Sequence, residues 1–184
     1  MSTAHHTITA ALDSSTLLKC TEHLDHERLE QEARATLYTA SRSDWLMGDI
    51  SAHCEFLGLR SLDWLATEAD APSRTSEHLG SRGYWWYAWT LHRAEVQASI
   101  DGLNAILSLA HEQPGRFGAS VDEVSAAHDW DASCKPTDFK MPDPSGEGND
   151  PIYVLCSLLG LRRLLTMART EGLAVLHLRY SFRD

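Results

Sequence analysis

Between Thr16 and Ser41 apolar residues recur at helical spacing: Leu17, Cys20 and Leu24 mark one face, and Leu29, Ala33, Leu37 and Ala40 mark a second. No proline or glycine interrupts the stretch, and Ser14 or Ser15 can cap its start. The two faces do not join, so the segment reads either as two helices meeting near Asp25 or as one helix buried on different sides. A second helix is predicted from Asp44, whose carboxylate can accept the orphan N–H groups of a first turn, to about Glu68. Leu46, Ile50, Cys54, Leu57 and Leu65 form its stripe, and a polar loop over 70–83 follows.

A third helix is read from the aromatic run Tyr84, Trp85, Trp86, Tyr87 and Trp89 through to about Glu112. Val96, Ile100, Leu103 and Leu107 continue one stripe, and Trp86, Leu91, Ala94 and Ile106 widen it, so this helix is expected to be the spine, with Trp85 and Trp89 in the core. Gln113, Pro114 and Gly115 stop it. A short helix over Ser120–His128 follows, with Ser120 and Glu123 in a capping-box pattern. Pro151 suits the first turn of a last helix reaching about Thr170. Leu173 to Phe182 alternates with a period of two, which is strand periodicity. Its one internal pairing candidate is Thr7–Ala11, inside a small, polar stretch (1–13) that otherwise reads as a flexible lead-in. The expected architecture is mostly α: a single domain over 1–184, a bundle of four to six helices with room for a short terminal β element.

Composition adjusts this picture in three ways. The chain is 43% hydrophobic and 23% charged, ordinary values for a folded globular domain. Cys20, Cys54, Cys134 and Cys156 are far apart with no C-x-x-C pair, which predicts free thiols in a reducing compartment, the cytoplasm. The longest apolar run, Ile152–Leu161, is interrupted by Ser157 and closed by Arg162 and Arg163, short of a membrane span. No membrane association is expected.

The formal charge of −10 is unevenly divided: residues 1–150 carry −13, whereas residues 151–184 carry +3. An acidic body disfavours direct nucleic-acid binding and favours a partner with a basic surface. The basic cluster of Arg162, Arg163 and Arg169 lacks interleaved aromatics that would stack bases. Chemistry-bearing motifs are missing: there is no G-x-S-x-G, no H-E-x-x-H and no P-loop.

Glu22, His23, His26, Glu27 and Glu30 share a helix face with metal-like spacing, though an exposed helix produces such a face without any ligand. Asp49 with His53, and His92 with Glu95, are spaced so that a carboxylate could orient an imidazole base. One alternative function follows: a helical-bundle metal protein or metalloenzyme using His53, His92 and His128 from separate helices. The reading preferred on sequence is a non-enzymatic protein without a cofactor. It binds a basic protein partner, as an inhibitor, antitoxin-like or immunity-type factor does, and could occupy a nucleic-acid-binding groove on its target. The contact element expected for it is the Pro/Gly-rich acidic loop over 131–150. There Asp138, Asp143 and Glu147 would steer a basic partner, and Phe139 and Met141 would anchor it.

Overall fold

The computed structural model describes residues 4–15, 39–43, 52–65, 75–79, 84–135 and 151–182. Helix predominates among them, as the apolar spacing predicts. The β part is larger than the short terminal element expected: five antiparallel strands in the order β2-β1-β5-β4-β3. These are β1 (Ala4–Leu12), β2 (Thr39–Ser43), β3 (Thr75–Leu79), β4 (Tyr84–Leu91) and β5 (Ala174–Phe182). The helices are α1 (residues 52–57), α2 (Arg93–Glu112), α3 (Val121–Ser133) and α4 (Pro151–Glu171).

The pairing of the two terminal segments is the one the alternation in 173–182 demanded. Strand β5 lies between β1 and β4, with Val175 opposite both Ala11 and Leu91 and His177 opposite both Thr9 and Trp89. The stretch otherwise read as a lead-in is thus an inner strand. Ala11, Leu91 and Val175 belong to the same apolar cluster as the helices. Ala174 and Leu176, at the alternate positions of β5, are buried too, so the start of this strand is covered on both faces.

Three helix readings change. The aromatic run 84–89 is strand β4, not the first turns of a helix; α2 begins only at Arg93, where the Glu95 carboxylate accepts the His92 backbone N–H at 2.9 Å. Large aromatic residues fit a pleated strand well, and residues 75–79 and 174–182 supply the partners. The segment expected to be helical to Glu68 leaves the helix after residue 57. Gly58 takes φ +63°, a conformation costly for other residues, and its N–H donates to the Glu55 carbonyl. Residues 39–41, expected to end a helix, lie in β2. The rest of that helix, the Glu22–Glu30 cluster and Asp44 fall outside the described residues.

The spine is α4 rather than α2. It packs against α2, α3 and strands β1, β2 and β5, and Leu158, Leu159, Leu161, Leu164 and Leu165 are wholly buried. By length and composition it reaches what a membrane span requires, yet 67% of its apolar window is buried inside the protein. It ends as read, with Gly172 at φ +69°.

A polar tie joins helix and sheet layers. The Trp64 indole N–H donates to Ser99 Oγ at 3.0 Å, and that hydroxyl donates to the Ser61 carbonyl. His177 meets Thr9 Oγ1 at 2.9 Å through Nδ1 and lies edge-on to Trp64. All four side chains, Thr9, Trp64, Ser99 and His177, are buried. Gly102 makes this approach feasible: a Cβ there would sit 2.5 Å from Ser61 Oγ and 3.1 Å from Leu62 Cγ.

Candidate functional site

An open cleft of about 590 Å³ lies between the C-terminal half of α2 and the face of α3. Helix α2 contributes Asn104, Leu107, Ser108, His111 and Glu112; α3 contributes Val121, Val124, Ser125 and His128; α4 contributes Arg162. Leu107 and Val124 are buried, while Val121 is 69% exposed. The cleft therefore has an apolar floor and polar walls, the usual make-up of a recognition site.

Local sequence fixes both walls. Helix α2 stops at Glu112 because Pro114 cannot continue it; the Gln113 N–H still reaches the Leu109 carbonyl at 2.8 Å, and a 3-10 turn over Pro114–Phe117 reverses the chain. The predicted capping box then starts α3. The Glu123 N–H donates to Ser120 Oγ at 3.2 Å, and the Ser120 N–H donates to Glu123 Oε2 at 2.7 Å. The Ser120 backbone bond, and then its hydroxyl, hold the Glu123 carboxyl below the usual carboxylate range.

Asp131 pins the other end of α3 to α4. Its carboxylate accepts from Arg162 at 3.2 Å and from Arg163 Nε at 3.0 Å, and the Arg163 guanidinium lies 5.3 Å from the Trp130 ring centre. Arg169 donates to Gln97 Oε1 at 2.7 Å. All three arginines of the basic cluster are thereby engaged within the fold. Asp131 is a helix residue in an ion pair rather than a free acid of a loop.

The histidines singled out by sequence do not converge. His53 is buried and stacks on Phe117, ring centres 3.9 Å apart. His92 is exposed at the start of α2, where the Glu95 carboxylate accepts its backbone N–H. Of these three, His128 lines the cleft. Among the described residues no group of three or more His, Cys, Asp or Glu side chains is arranged to hold a metal ion. Asp138, Phe139, Met141, Asp143 and Glu147 lie outside the described residues, as do Asp49 and Cys20.

Cys54, Cys134 and Cys156 are not in disulfides: Cys54 and Cys156 are buried and Cys134 is half-buried. Burial, and then the charge of Asp63, push the Cys54 thiol up to about 11, so it stays protonated and unreactive near neutrality. Sequence reasoning passed over Asn104, Ser108, His111 and Ser125. They read as ordinary surface positions until α2 and α3 are packed side by side. No protein-family model, curated protein or solved structure matches this chain.

Proposed function

We propose that this protein acts without catalysis, by binding a basic protein partner through its acidic surface, as an inhibitor, antitoxin-like or immunity-type factor. A nucleic-acid-binding groove on the target is a fitting surface for it. The observation that carries this reading is the uneven use of charge. Arg162, Arg163 and Arg169 are engaged with Asp131 and Gln97, while Asp101, Glu112, Asp122 and Asp129 stand exposed on α2 and α3. Exposed acids attract a basic partner and speed its approach. Thiols outside disulfides at Cys54, Cys134 and Cys156 agree with a reducing compartment such as the cytoplasm.

The test compares capture of native partners by the wild-type chain and by a variant carrying Asp101→Lys, Glu112→Lys, Asp122→Lys and Asp129→Lys. Capture of a basic protein that is lost both in the variant and at high salt supports the proposal. Equal capture by both chains, insensitive to salt, refutes it.

A further inference from the structure

We infer that the cleft between α2 and α3 is the docking site for a basic amphipathic helix of the partner, an inference that rests on the acidic-binding reading above. Three observations select this occupant. The first is shape: from Asn104 to Glu112 the α2 wall runs about 12 Å along its axis, two turns of a docked helix. A partner helix uses such a groove through apolar residues at i, i+3 or i+4, and i+7.

The second is an apolar surface left unused by folding. Val121 sits at the first helical position of α3 with 69% of its surface exposed, beside Leu107 and Val124. A partner leucine seated there would cover Val121 and extend the core cluster to which Leu107 and Val124 already belong.

The third is charge. Glu112 lines the cleft, and exposed Asp101, Asp122 and Asp129 lie on the helices that form its walls. The cation in the lining, Arg162, is paired with Asp131 at 3.2 Å. Asp101 lies one turn before the lining residue Asn104, and Asp122 and Asp129 lie one turn either side of the lining residue Ser125, so acids flank the apolar floor, which fits lysines or arginines flanking an apolar stripe. An acidic or anionic occupant would meet like charge.

The probe is a fluorescein-labelled synthetic peptide of leucine and lysine, amphipathic over about three helical turns. A leucine–glutamate peptide of the same pattern is the control. Fluorescence anisotropy gives affinity, and backbone amide NMR gives the site. The expected result is preference for the lysine peptide, with shifts centred on Leu107, Val121 and Val124. Val121→Ser, which removes apolar surface without adding charge, should weaken binding at least about tenfold. The charge-reversed Glu112→Lys, Asp122→Lys and Asp129→Lys variant should prefer the glutamate peptide.

Because Val121 is exposed, its substitution leaves the fold intact, which the amide spectrum checks directly. Binding of the lysine peptide with shifts away from the cleft, unaffected by Val121→Ser, overturns the cleft assignment and leaves the acidic-surface reading standing. Equal binding of both peptides, or of neither, overturns the chemistry assigned to the occupant. Shifts at the cleft that depend on protein concentration without peptide would identify a second copy of this chain as the occupant, and overturn the proposal.

Discussion

Helices α3 and α4 lie side by side, clamped by Asp131, yet they handle apolar surface in opposite ways. Helix α4 buries residues on every side, from Tyr153 through Ala168. Helix α3 buries only Val124 and Ala127 and leaves Val121 in solvent. The first helix exhausts its apolar surface in making the fold; the second keeps some in reserve. Substitutions should therefore register as lost stability in α4 and as altered binding in α3.

The sharpest break of that contrast would come from Leu159→Ala, which opens a cavity at a wholly buried position. It should cost about 2–5 kcal/mol in denaturant unfolding, and a loss below 1 kcal/mol would remove α4 from the core. Asp131→Asn comes next. It removes the carboxylate that Arg162 and Arg163 share at a partly buried site, and should cost about 1.5–3 kcal/mol by the same measurement. Ser99→Ala strands the Trp64 indole N–H and the Ser61 carbonyl between the layers. About 1–3 kcal/mol is expected, together with a shift of the tryptophan fluorescence.

At the α3 entrance, Ser120→Ala removes the cap and should cost about 1 kcal/mol. Its pH dependence has a fixed sign. The folded Glu123 carboxyl sits below its unfolded value, so its contribution is complete above the ordinary carboxylate range and disappears as the pH falls through the folded value. Thermal melts from pH 7 to pH 3 should show a shallower acid loss in Ser120→Ala than in wild type. The smallest effect belongs to Val121→Ala, within about 0.5 kcal/mol of wild type. A larger loss would mean that α3 needs Val121 to fold, and the contrast between the helices would fail.

The features legible in sequence were those written by local rules. Pro151 and Gly172 bracket α4, Ser120 and Glu123 announce α3, and the alternation after Leu173 gave β5 together with its partner near the start of the chain. Strand β4 was missed because consecutive large apolar residues satisfy the helical and the strand period alike. The choice between them rests on pairing with 75–79 and 174–182, which no local window contains. Of the histidines given a role on sequence, His128 lines the cleft, chosen for a metal role that the packing does not assemble. Neighbours such as His111 and Ser125 lie on different helices, so only the packing of α2 against α3 reveals them.

The place of β5 in the sheet has a kinetic consequence. It separates β1–β2 from β4–β3, and the Thr9–His177 contact spans 168 residues. Until β5 emerges during synthesis, β1 and β4 each offer an unpaired inner edge, the kind of edge that invites association with other chains. Joining them requires the closure of a very long loop, which slows folding. A chain arrested or cut before Ala174 would therefore carry two half-sheets without their common strand. In refolding experiments the sheet should complete in a single late step, gated by the arrival of β5.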